Sequence, residues 1–277
     1  MTVAEIYTKT KKTLFESGNQ DSNYEAKLIL EFVLGKKDLL LYAESQITEY
    51  QVKQIEEIIE KRQNHYPLQY ILGEWDFYKY TFKVGEGVLI PRSDTEILVE
   101  KAAEFLKGIE NPQVLDLCAG SGCIGISIAK DYPQSFVTLV EKFDGALKYL
   151  YENVDLNGAQ NTKVLKGDIF CGDGVDTKYD LIVSNPPYIP PGEMDIISPE
   201  TFYEPETALL GGEDGLLFYK EIIKNYKQSL KLGGMLGFEV GINEDTAVSE
   251  LLKNAGFKQI TVTEDLNGIK RVVTAIK

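Results

Sequence analysis

The chain has 277 residues, 43% of them hydrophobic and 26% charged, with a formal net charge of −14. This is enough for an enzyme-sized globular domain plus a smaller one, and no apolar stretch is long enough to span a bilayer. The acidic balance repels nucleic acid phosphates, and the basic clusters Lys9-Thr10-Lys11-Lys12 and Lys36-Lys37 are short, so a protein or small-molecule substrate is expected.

The chain opens with helical patterns. Thr2 with Glu5, Ser22 with Glu25 and Thr48 with Gln51 each have the spacing of a reciprocal helix cap. Apolar residues follow at helical spacing, among them Ala26, Leu30, Val33 and Leu34, then Ile55, Ile58 and Ile59. Residues 1–72 are therefore expected to form a small helical domain. From Trp75 to Ile90 the sequence turns aromatic and β-branched, which reads as a hairpin linker over 73–92. Ser93 with Glu96 repeats the capping pattern and opens a third region, 93–277.

In that region short apolar runs alternate with helical ones. The runs are Val114–Leu117, Phe136–Val140, Asp180–Val183 and Met235–Val240, with a helical pattern over Ala146–Leu156. This alternation predicts a mostly parallel sheet with helices on both faces, an α/β Rossmann-like architecture. Gln259–Thr263 and Arg271–Ile276 are joined by a turn holding Asn267-Gly268, so the sheet should end in an antiparallel hairpin.

The first run leads into Asp116-Leu117-Cys118-Ala119-Gly120-Ser121-Gly122-Cys123-Ile124-Gly125, a G-x-G-x-x-G loop between strand and helix. Glu141, at the end of the next strand, is placed to accept hydrogen bonds from ribose hydroxyls. Asp116 bears on which nucleoside cofactor binds. A carboxylate 4 Å from a pyrophosphate costs about 4 kcal/mol at an effective dielectric near 20, whereas it attracts a sulfonium and an ammonium. S-adenosylmethionine is the cofactor expected at this glycine loop, with Asp116 and Glu141 as the carboxylates that bind it. Asp168 is placed to accept from the adenine amino group and Ile169 to pack on the ring.

The fourth strand runs into Asn185-Pro186-Pro187-Tyr188. A planar NH₂ group is a poor nucleophile, because its lone pair is delocalised. Two out-of-plane acceptors, the Asn185 carboxamide oxygen and the Pro186 carbonyl, can grip its N–H bonds and turn the lone pair toward a methyl group. Two prolines stiffen this backbone, and Tyr188 offers a flat face. No strong base is needed, which suits a chain whose single histidine, His65, lies in the polar run Arg62-Gln63-Asn64. Three cysteines without metal-ligand pairing make a metal unexpected. No basic segment followed by an apolar one opens the chain, so the cytoplasm is the expected compartment.

The sequence resembles the release-factor glutamine methyltransferases over almost its whole length. The resemblance is carried by Pro67–Gly73 with Phe77-Tyr78, Val88–Glu96, the Asn185–Tyr188 tetrapeptide, Glu204–Leu209 with Gly211-Gly212, and Asp265–Gly268 with Arg271. It implies methylation of the side-chain amide of the Gly-Gly-Gln glutamine in class 1 peptide chain release factors. It also implies a helical N-terminal domain that recognises the factor, and a cofactor held by Cys118–Gly122, Glu141, Asp168 or Ile169, and Asn185. No direct contact with nucleic acid or membrane is implied. Glu244 stands where the family is expected to have glutamine, and Cys118-Ala119 where it often has Gly-Thr. The competing readings are an adenine-N6 methyltransferase, which shares the tetrapeptide; a nicotinamide-dependent oxidoreductase, on the glycine loop; and a non-catalytic binding protein that keeps the fold.

Overall fold

A computed structural model of the chain describes residues 1–174 and 177–277. They divide into two compact units, Met1–Gly73 with Ser198–Tyr203, and Glu74–Ile197 with Glu204–Lys277.

The first unit holds the helices α1 (Val3–Glu16), α2 (Ser22–Leu34), α3 (Glu49–Gln63) and α4 (Leu68–Leu72). Both reciprocal bonds of the capping box form at Thr2 and again at Thr48, so each helix start satisfies two N–H groups that would otherwise lack partners. The third expected box does not form. Asp21 occupies the cap of α2, and Glu25 turns instead to Arg62, accepting from Nε at 2.8 Å and from Nη2 at 2.7 Å. A buried guanidinium needs a bidentate anion more than a helix start needs a cap. Arg62 also donates to Glu200 Oε1 and to the Tyr66 carbonyl, both at 2.7 Å. Ile6, Leu14, Ile29, Leu30 and Ile55 fill the core between the helices.

The second unit begins with a hairpin, β1 (Glu74–Phe77) and β2 (Tyr80–Lys83), in which Trp75 faces Phe82. Strand pairing stops at Lys83, earlier than the aromatic run to Ile90 suggests. Ser93 does not cap a helix. Ser93–Thr95 is a 3₁₀ turn leading into α5 (Glu96–Leu106), because Glu96 Oε1 accepts the Tyr78 N–H at 2.9 Å.

The remaining strands are β3 (Gln113–Leu117), β4 (Phe136–Glu141), β5 (Thr162–Lys166), β6 (Tyr179–Ser184), β7 (Leu230–Glu239), β8 (Lys258–Glu264) and β9 (Lys270–Ile276). They form one seven-stranded sheet in the order β5-β4-β3-β6-β7-β9-β8. β3 to β7 run parallel, while β9 is antiparallel to both β7 and β8. The mostly parallel sheet with a final antiparallel hairpin is thus as the sequence predicts. One face is covered by α5, α6 (Cys123–Asp131) and α7 (Asp144–Asn157), which bury Val99, Ile126 and Leu150. The other is covered by α8 (Leu217–Tyr226) and α9 (Asp245–Asn254), which bury Tyr219, Ile222 and Leu252. The chain leaves β3 toward β4 on one side, and β6 returns on the other. Such a reversal opens a crevice beyond the carboxyl ends of the strands.

Candidate functional site

The crevice starts at the loop after β3. Cys118, Gly120 and Gly122 all take positive φ, at 59°, 56° and 82°, and this reverses the chain into α6. At Gly125 a Cβ would lie 2.2 Å from Leu139 Cδ2 and 2.8 Å from Asp116 Oδ2, so helix and strand meet without room for a side chain. The loop's N–H groups turn inward. Ala119 donates to the Val140 carbonyl at 3.0 Å, Gly122 to the Ala119 carbonyl at 2.7 Å, Gly125 to Asp116 Oδ2 at 2.9 Å, and Gly120 to Glu141 Oε2 at 2.9 Å. A phosphate-binding loop keeps such donors free for its anion. Here they are committed to protein acceptors, two of them the carboxylates of Asp116 and Glu141.

Asp116 does not stand where its expected role requires. It is fully buried beneath the loop, and among the described residues the cavity lining does not include it. Burial pushes its carboxyl up to about 7, against the opposing pull of the Gly125 N–H. A strand side chain two residues before the turn points into the helix–sheet layer, not the crevice, so Asp116 pins α6 to β3. The counter-charge facing the cavity is Glu141, 6% exposed, whose Oε1 accepts the N–H groups of Lys142 and Phe143, both at 2.8 Å.

Of the residues singled out in the sequence, Cys118, Ala119, Gly120, Ser121, Glu141, Asp168, Ile169, Asn185 and Pro187 line one cavity, while Gly122, Pro186 and Tyr188 lie outside its lining. Asp168 pairs with Lys142 at 2.8 Å, which holds its carboxyl below the usual range, and its Oδ1 takes the Phe170 N–H at 3.0 Å. Burial pushes the Cys118 thiol up.

Other lining residues are not evident from the motifs. Phe143 and Phe170 each follow a carboxylate by two residues, after Glu141 and Asp168, and that repeated spacing is a readable signal. Val88–Arg92 and Thr207-Ala208 also border the cavity. Glu204 holds the first of these segments in place, accepting the Ile90 N–H at 2.9 Å and pairing with Arg92.

Beyond β6, Ser184 Oγ donates to the Leu117 carbonyl at 2.7 Å and locks β6 to β3 where the tetrapeptide begins. The far side is pinned by Ile189, whose N–H donates to the Leu209 carbonyl at 2.8 Å and whose carbonyl accepts the Gly211 N–H at 3.0 Å. Asn185 Nδ2 donates to Thr95 Oγ1 at 3.3 Å, and among the described residues no donor reaches its Oδ1. Asn185 itself borders the cavity. Tyr188 is held at its hydroxyl by Glu239 Oε1 at 3.4 Å.

The chain is similar to known proteins both in sequence and in fold. Residues 93–217 match the methyltransferase small domain, and residues 5–73 match the PrmC N-terminal domain. The release factor glutamine methyltransferase of Fusobacterium nucleatum is 40% identical over 277 residues, covering 99% of this chain and 78% of that protein. That of Thermodesulfovibrio yellowstonii is 42% identical over 253 residues, covering 90% of each. In fold, the chain is similar to the catalytic domain of hMettl16, solved with a MAT2A 3′UTR hairpin. The TM-score is 0.59 at 14% identity, covering 91% of this chain and 90% of that one.

Proposed function

The chain belongs to the family of release factor glutamine methyltransferases, and on that premise we propose that it methylates the side-chain amide nitrogen of the Gly-Gly-Gln glutamine in class 1 peptide chain release factors, in the cytoplasm, with S-adenosylmethionine as donor. One observation carries the reading. A glycine loop closed by the carboxylate of Glu141 shares a cavity with Asn185, whose amide oxygen has no partner among the described residues.

The donor set fits the cofactor. Glu141 retains acceptor capacity for a ribose diol, Asp168 for an exocyclic amine, and Ile169, Phe143 and Phe170 supply apolar surface for a purine. A pyrophosphate would meet Glu141 at the N–H of Gly120, which disfavours a nicotinamide dinucleotide.

S-adenosylmethionine, when bound, supplies a methyl group activated by its sulfonium. The chain's own residues hold the acceptor. Asn185 Oδ1 and the Pro186 carbonyl take the two amide N–H bonds, which pyramidalises the nitrogen, and Tyr188 braces the segment. The methylated amide loses its proton readily, so positioning supplies the rate and no strong base is required. The helical unit, matching the PrmC N-terminal domain, is proposed to recognise the factor.

The test is to incubate the protein with S-adenosylmethionine and purified release factor, then map the methylated peptide by mass spectrometry. A methyl group on the Gly-Gly-Gln glutamine is expected. Label on any other residue overturns the substrate, and steep salt-sensitive binding to DNA or RNA with adenine methylation would support the N6 alternative.

A further inference from the structure

Asp265-Leu266-Asn267-Gly268 with Arg271 carries part of the family resemblance, yet among the described residues none of these lines the cavity. The geometry gives the motif another task. Asp265 closes the turn between β8 and β9. Its Oδ1 accepts the N–H groups of Asn267 at 2.8 Å and Ile269 at 2.9 Å, and its own N–H donates to the Ile269 carbonyl at 2.7 Å. The carboxylate is thereby fixed, with its side chain only 4% exposed. Arg271, on β9, stands between it and a second carboxylate. Its Nε lies 3.5 Å from Asp265 Oδ2 and 3.1 Å from Asp94 Oδ2, which belongs to the Ser93–Thr95 turn. Neither contact is an aligned hydrogen bond, so the guanidinium acts here as a charge shared by two carboxylates.

Asp94 is covalently joined to Thr95, which is buried, borders the cavity and accepts Asn185 Nδ2 on its hydroxyl at 3.3 Å. The turn is tight, since the Thr95 N–H donates back to the Arg92 carbonyl at 3.1 Å. A shift of Asp94 is therefore passed directly to Thr95.

We propose that Arg271 is a positioning residue for methyl transfer: it clamps Asp94 to the terminal hairpin and so holds the Thr95 hydroxyl against the Asn185 amide. The inference rests on the reading of Asn185 as the acceptor that grips the substrate amide.

Charge decides what happens when the clamp is removed. Without the cation, Asp265 keeps its place through its backbone donors, while Asp94, partly exposed, is repelled and can move. Taking the charge off Asp94 as well abolishes that repulsion. The second change should therefore restore part of what the first one loses.

The experiment compares steady-state kinetics of wild type, Arg271→Met, Arg271→Lys, Asp94→Asn and the double variant Arg271→Met/Asp94→Asn on release factor with S-adenosylmethionine. Wild-type turnover on the glutamine comes first, because its absence would sink the functional reading itself and not the clamp. Misplacing a reacting group costs up to about 100-fold, so Arg271→Met should lower kcat by about 20- to 100-fold, with KM values within about threefold. Asp94→Asn and the double variant should match each other, about 5- to 20-fold below wild type and clearly above Arg271→Met. Lysine carries its charge one bond beyond the position of the arginine Nε, and Arg271→Lys should stay within about fivefold of wild type. Lys270→Met is the control, since Lys270 pairs with Asp245 at 2.9 Å on the same hairpin and touches nothing in the site. Its kcat should be that of wild type. The clamp is overturned if Arg271→Met turns over like wild type, if the double variant is as slow as Arg271→Met, or if Lys270→Met is equally slow. Should Arg271→Met not fold, Asp94→Asn decides: a wild-type kcat overturns the proposal, and a lowered kcat at unchanged KM supports it.

Discussion

Glu141 closes the glycine loop from inside, accepting the N–H of Gly120 at 2.9 Å across 21 residues of chain. This one bond places a negative charge where a dinucleotide-binding loop would offer a positive dipole to phosphate. Its removal should weaken cofactor binding. Glu141→Gln keeps one oxygen, so its NH₂ must face either the Gly120 N–H or the N–H groups of Lys142 and Phe143. A hydrogen bond to a charged group contributes about 1.5–3 kcal/mol, so the Kd for S-adenosylmethionine should rise by about 10- to 100-fold in calorimetric titration. A Kd within twofold of wild type would show that Glu141 shapes the loop without holding the ligand.

Asn185→Ala removes the amide oxygen proposed to grip the substrate. The release-factor methylation rate should drop by about 100-fold or more, while affinity for S-adenosylmethionine changes only a few-fold. Radiolabel transfer under saturating cofactor measures the first and calorimetry the second. Turnover at the wild-type rate would remove the basis of the mechanism.

Gly211 lies against the tetrapeptide. A Cβ there would stand 2.5 Å from Tyr188 Cα and 2.7 Å from both Tyr188 C and the Gly215 carbonyl, all of it backbone. Gly211→Ala should therefore destabilise the protein by about 1–3 kcal/mol in urea unfolding, and lower kcat by shifting Tyr188. Gly192 is the control: among the described residues nothing lies within 4 Å of where its Cβ would stand, and its φ is not positive. Gly192→Ala should change stability by no more than about 0.5 kcal/mol.

Asp116 makes stability depend on pH in an unusual direction for a carboxyl. Its folded pKa is raised from 3.8 to about 7, so between these values the native state binds more protons than the unfolded chain. Stability contributed by the neutral acid is present at low pH and is lost as pH rises toward 7, then levels off. Glu239 and Glu244, both raised to about 7 by burial, act with the same sign. For Asp116 the ceiling is on the order of 4 kcal/mol. Thermal unfolding at pH 5 and pH 8 should show wild type losing more stability across the interval than Asp116→Asn. Equal losses in both proteins would place the pH dependence elsewhere.

Where a motif carries its own geometry, the sequence predicted the structure. The boxes at Thr2 and Thr48 form because donor and acceptor lie three residues apart on one helical turn. Ser22 has the same spacing and fails, since Glu25 finds a buried guanidinium 37 residues away. The same holds in the site. Glycines, carboxylates and the Asn-Pro-Pro-Tyr segment are readable from the chain because each follows a strand end, where an α/β sheet places its ligands. Asp116 was misread, because strand alternation decides which face a side chain takes and the loop motif does not state it.

The amino-acid sequence by itself determined the alternation of strands and helices, the closing antiparallel hairpin, and the chemistry available at each strand end, all of which follow from periodicities spanning a few residues. Only the tertiary structure decided that β9 lies between β7 and β8, that Glu204 holds Ile90 across 114 residues, and that Thr95 meets Asn185 across 90. The physical reason is range. Hydrophobic period and capping are settled within one or two turns of chain, whereas these contacts exist only once the whole sheet has chosen its strand order.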